Sequence, residues 1–94
     1  MSRNRDHGKP DATLGPIRSA LEAAGCAIAD LGAVGAGCPD LLVYRAATGL
    51  LRLIEAKSKK GKLRASQQAF ALRMPVWVAR TPDEALAVMG IETA

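Results

Sequence analysis

The chain has 94 residues and a net charge of +4; 49% of its residues are apolar, and Tyr44, Phe70 and Trp77 are its only aromatics. That length fits one domain with a single modest core, below the size at which chains divide, and the core must be built mainly from Leu, Val, Ile and Ala. No apolar run reaches the ~18 residues of a membrane span, and the polar start MSRNRDHGKPDA lacks the apolar stretch of a secretory signal, so a cytoplasmic protein without membrane contact is expected.

Residues 1–10 carry Arg3, Arg5, His7 and Lys9 and almost nothing apolar. This is the pattern of a flexible basic arm, either solvated or in touch with phosphates. Residues 11–94 form the expected single domain. From Asp11 to Ala24, the residues Leu14, Ile17, Ala20, Leu21 and Ala24 follow helical spacing, Pro16 is expected in a first turn, and Gly25 supplies the stop. The stretch CAIADLGAVGAGC combines a short strand with glycines at 32, 35 and 37, where backbone bends or comes close to another surface. DLLVYR and LLRLIEAK, joined by AATG, are β-rich with too little polar alternation for a wet face, which predicts a buried hairpin.

A basic tract then holds Lys57, Lys59, Lys60, Lys62 and Arg64, and ASQQAFALRM continues as a helix up to Pro75. VWVA reads as a strand. Thr81-Pro82-Asp83-Glu84 is a capping box with proline at the first helical position, opening a helix that Gly90 stops. The order α-β-β-β-α-β-α makes an α/β fold, a mixed sheet flanked by helices.

Cys26 and Cys38 lie twelve positions apart without a CxxC spacing, and the sole histidine sits in the arm. A thiolate or imidazole zinc site lacks ligands, so any metal must be held by oxygen. In the hairpin, Arg45 stands opposite Leu50 whether the loop is AATG or only Ala47-Thr48. Stepping outward in that register sets Asp40 opposite Glu55, with side-chain roots ~5 Å apart. Lys57 shares the face of Glu55, two residues further on. Two carboxylates this close repel unless one is protonated or a cation lies between them. Hard oxygen donors select Mg²⁺ or Mn²⁺, and such a set, with an ammonium beside it, suits activation of a water against a phosphodiester. That is a chemistry for cutting nucleic acid, although each residue taken singly is equally at home at a solvated strand end.

Pro39-Asp40 and Glu55-Ala56-Lys57 resemble the PD-(D/E)xK nuclease superfamily. With Gly37-Cys38 before them and Gly61-Lys62-Leu63 and Gln67 after, they are similar to VRR-NUC domains and to small phage-type or Holliday-junction-resolvase-like members, over roughly residues 11–90. The resemblance implies a restriction-endonuclease-like core in which Asp40, Glu55 and the carbonyl of Ala56 bind the metal and Lys57 is the catalytic lysine. It also implies that Gln67, at the start of the next helix, helps position lysine, water or phosphate; the plainer reading is a solvated first-turn residue. The acidic ligand that the family often carries early in its first helix has no clean counterpart. Asp11 is nearest and is favoured, Leu14 stands where a ligand could have been, and Glu22 is expected to be a solvated charge.

Lys59, Lys60, Lys62 and Arg64 are expected to track a phosphate backbone. Phe70 and Trp77 are expected in the core, and Arg18, Arg45, Arg52, Arg73 and Arg80 receive no role. The resulting expectation is a Mg²⁺- or Mn²⁺-dependent DNA endonuclease acting on duplex or branched, junction-like DNA. A chain this small covers only part of a duplex, so a homodimer is expected. The alternative is a non-catalytic nucleic-acid-binding module on the same fold; a third reading is an interaction protein that uses its charge for solubility.

Overall fold

The computed structural model describes residues 10–93, apart from the side chains of Pro10 and Asp11. The basic arm expected over residues 1–10 lies outside the described residues except for Pro10, the first residue of helix α1 (Pro10–Ala23). Leu14, Ile17 and Leu21 recur at helical spacing and are all buried, which is why this segment is a helix and which way it faces. Gly25, at φ +92°, closes it, its N–H donating to the Glu22 carbonyl at 3.0 Å. Pro16 departs from expectation, because it lies inside the helix and not in a first turn. It forfeits one i→i−4 hydrogen bond, on the exposed side of a turn that Leu14 and Ile17 anchor in the core.

The remaining elements are β1 (Cys26–Asp30), β2 (Leu41–Arg45), β3 (Leu50–Ala56), α2 (Ala65–Arg73), β4 (Val76–Ala79) and α3 (Pro82–Val88). They form one sheet in the order β1-β2-β3-β4, antiparallel through the first three strands and parallel between β3 and β4. A parallel neighbour needs a crossover, and α2 supplies it. Arg45 pairs with Leu50 as the sequence predicts. The hairpin closes over four residues, with the N–H groups of Thr48 and Gly49 donating to the Arg45 carbonyl at 3.2 and 2.8 Å.

Helices α1 and α3 pack on each other; α1 also meets β1 and β3, and α3 meets β4. Leu41 and Val43 of β2, Ile54 of β3, Ala79 of β4, Ala85 of α3 and the adjacent Met89 join the α1 leucines and Ile17 in the core. Thr81 caps α3 by accepting from the Glu84 N–H at 3.1 Å, while the Glu84 carboxylate reaches back to the Arg80 N–H at 2.7 Å, one residue before the cap.

Several arginines without a role in the sequence have one in the fold. Arg52 lies 4.1 Å from the centroid of the Trp77 ring and donates to the Val88 carbonyl at 3.0 Å. Arg45 donates to the carbonyls of Met89 and Gly90 at 3.3 and 3.1 Å. Both serve the carbonyls that the end of α3 leaves without helical partners. Arg18 ties α1 to β1 through Asp30 at 3.1 Å and also meets Glu22 at 3.4 Å, which leaves Glu22 the exposed charge that was expected. Phe70 and Trp77 are half-buried and do not reach the centre of the core.

The hairpin is not buried on both faces, contrary to expectation. Tyr44 and Leu51 oppose each other across β2 and β3 and are 42% and 58% exposed. The sheet's deep packing is against α1 and α3, and the nine-residue α2 leaves this pair uncovered. No helix among the described residues is long and apolar enough to cross a membrane.

Candidate active site

The β2–β3 ladder ends at Leu41 opposite Ile54, and one more step in the same register brings Asp40 level with Glu55. Asp40 is no longer in the strand. Its carbonyl accepts from the Leu31 N–H at 2.8 Å, and its Oδ2 accepts from the Ala56 N–H at 2.8 Å. A side chain thus continues the ladder where backbone pairing stops. This fixes one carboxylate at the end of the hairpin, beside the backbone of the ExK segment.

Glu55 is 5% exposed. Burial pushes its carboxyl up to about 7, the Asp40 charge adds to the rise, and Lys57 pulls the other way. Lys57 Nζ lies 3.6 Å from Glu55 Oε2, on the shared face that strand alternation requires, and its side chain is largely buried. The Lys57 N–H donates to the Ala79 carbonyl at 3.1 Å, carrying the β3–β4 ladder one residue past the strand and holding the lysine root.

Gln67 is buried and bonded at both ends. Its Oε1 accepts from the Arg64 N–H at 2.8 Å, capping α2, and its Nε2 donates to Glu55 Oε2 at 3.0 Å. Burial removes the solvated reading of its sequence position. Gln67 is the link between the start of α2 and the Glu55 carboxylate, not a solvated first-turn residue.

The cleft around these groups has a volume of about 1020 Å³ and is lined by Asp40, Glu55, Ala56, Lys57, Arg64 and Gln67 together with α1 residues and the glycine loop before Pro39. Gly35, Ala36 and Gly37 all have positive φ, and a Cβ at Gly37 would overlap the Ser66 carbonyl in the first turn of α2. The loop therefore lies directly on that helix start, the close approach that its glycines predict. Lys59, Lys60 and Lys62 are exposed on the segment after β3, flanking the cleft without lining it. The Asp11 side chain lies outside the described residues.

Sequence reasoning gave no role to Thr13, Cys38 and Ser66, which also line the cleft. Cys38 stood inside the GCPD stretch, so only its position beside Asp40 signalled it. Burial, then the Glu55 and Asp40 charges, push its thiol up.

The donor chemistry suits a hard divalent cation. Two carboxylates line this cleft, and Glu55 is lifted by burial first and by the Asp40 charge second; a cation beside them would relieve that second part. Among the described residues no group of three or more His, Cys, Asp or Glu side chains gathers to hold an ion. The VRR-NUC domain family matches the chain over residues 4–74. No curated protein and no solved structure matches it.

Proposed function

The chain belongs to the VRR-NUC domain family, within the PD-(D/E)xK nuclease superfamily, and from that premise we propose that this nuclease-type domain is a Mg²⁺- or Mn²⁺-dependent DNA endonuclease. Duplex or branched, junction-like DNA is its proposed substrate. The observation that carries the proposal is the meeting of Asp40, Glu55, Lys57 and Gln67 at one end of a hairpin, with Glu55 raised to about 7.

Asp40 and Glu55 would hold the cation with the Ala56 carbonyl, and Asp11 is the proposed further ligand from the first helix. The cation, when bound, supplies a Lewis acid that polarises a phosphodiester and acidifies a water. Every other role falls to the chain's own groups. The Ala56 N–H orients the Asp40 carboxylate, and Gln67 orients Glu55 by donating to its Oε2. Lys57 places a positive charge beside Glu55, where it can orient the water or stabilise the charge that develops on the phosphate. Lys59, Lys60, Lys62 and Arg64 would meet the nucleic-acid backbone beside the cleft. The proposed assembly is a homodimer, which would offer one cleft to each strand.

Purified protein incubated with duplex, flap and four-way-junction DNA in Mg²⁺, Mn²⁺ or chelator tests this reading. Cleavage is expected with metal only. Asp40→Asn should lower it by at least ~100-fold, the scale of losing a preorganised electrostatic group, while DNA binding persists. A wild-type protein that binds DNA and never cuts would instead support the non-catalytic module.

A further inference from the structure

Arg80, the residue between β4 and the α3 cap, turns its guanidinium onto the basic segment after β3. Nη1 donates to the carbonyls of Ser58 at 2.6 Å and Gly61 at 2.7 Å, with the Lys59 carbonyl at 3.5 Å. The backbone of Arg80 is itself held, since its N–H donates to Glu84. One rigid cation therefore gathers three carbonyls of a five-residue stretch that carries little apolar anchorage of its own.

Peptide planarity fixes the consequence. A carbonyl that points at Arg80 turns the N–H of the following residue the other way, so the N–H groups of Lys59, Lys60 and Lys62 face away from the guanidinium. Among the described residues none of these three N–H groups donates a hydrogen bond; the Gly61 N–H closes the turn onto Ser58 at 3.0 Å. Outward amides and exposed lysine side chains give the loop an outer surface of positive polarity, which can meet an anionic oxygen. The same turn sets Gly61 close to the Lys57 stem, where an added Cβ would lie 3.5 Å from the lysine Cδ. Ser58 and Gly61 themselves line the cleft.

We propose that Arg80 is a positioning residue that shapes residues 58–62 into a phosphate-binding loop, holding a nucleic-acid phosphate beside the cleft through backbone N–H groups and lysines. The inference rests on the reading that the cleft takes nucleic acid, but it does not require that the chain cut it.

The test uses a fluorescent duplex in chelator, so that cleavage plays no part. Arg80→Gln should weaken binding about 10-fold at low salt and reduce the slope of log affinity against log salt by about one to two, the change expected when that many phosphate contacts are lost. Arg80→Lys, which keeps the charge without the planar fork, should restore only part of both. Lys60→Gln should also weaken binding, and the double variant should lose less than the product of the two single losses, because both act through one loop. A folded Arg80→Gln protein with wild-type affinity and salt slope, or losses that multiply, overturns the proposal.

Should the variants fail to fold, the wild-type chain suffices. The amide resonances of Lys59, Lys60 and Lys62 should shift on titration with the duplex, and unmoved resonances under saturating DNA overturn the proposal. Binding through these amides without cleavage would remove the hydrolytic reading and keep this one; cleavage with unmoved amides and an indifferent Arg80→Gln would do the reverse.

Discussion

Glu55 is the residue whose chemistry the surroundings change most. A carboxyl raised from 4.5 to about 7 by burial and by Asp40 keeps its proton in the folded chain when the unfolded chain has already released it. Between about 4.5 and about 7 the folded state therefore binds more protons, and the stability contribution present at low pH is lost as pH rises through the folded value. Thermal melts in chelator should show stability falling across this window. Glu55→Gln should flatten the fall, and an undiminished slope in that variant would assign the titration elsewhere. Stabilisation by Mg²⁺ should grow as pH rises through about 7, since the ion needs the charged carboxylate. None of this was legible at position 55 alone. A glutamate in a β-rich segment reads equally as a solvated strand end, and only burial with its partners Asp40, Lys57 and Gln67 sets it apart.

Helices and strands were more readable than single side chains. The capping residues of α3 and the spacing of Leu14, Ile17 and Leu21 set their helices locally, and the Arg45–Leu50 pairing followed from the short loop between two β-rich runs. The glycine loop was legible only as a place of close approach; what it approaches is the start of α2, far along the chain. Gly37→Ala should test that contact. It adds a left-handed conformation that alanine resists and an overlap with the Ser66 carbonyl, for a loss on the order of 2 kcal/mol or more in chemical denaturation. Gly35→Ala carries only the conformational cost, about 1 kcal/mol, because open space surrounds its Cβ. Equal losses would mean that the loop does not bear on α2. The contact also matters to the site, because Ser66 adjoins Gln67 and hence the Glu55 hydrogen bond.

For the whole molecule, the core lies mainly between the sheet and the α1–α3 pair, and the second face of the hairpin leaves Tyr44 and Leu51 exposed. The sequence suggested a hairpin buried on both sides because its apolar runs barely alternate, and alternation is what marks a wet face. It carried no information on how much of that face a short crossover helix would cover. The proposed homodimer is checked at this scale. Sedimentation equilibrium should return about twice the 9.8 kDa chain mass, and a monomer at assay concentrations that still cuts both strands would remove the dimer from the mechanism.

Composition, helical spacing, turn chemistry and strand register were settled by the sequence itself, because each depends on neighbours within a few residues or on a hairpin closed by a short loop. Those same local rules set Asp40 level with Glu55 and put Lys57 on the glutamate's face. The capping reach of Gln67 to Glu55, the lift of the Glu55 carboxyl, the docking of Gly37 on α2 and the hold of Arg80 on the basic loop were decided only by tertiary structure. Each joins groups twelve or more residues apart, and the burial and charge that act across such distances exist only once the chain has closed on itself.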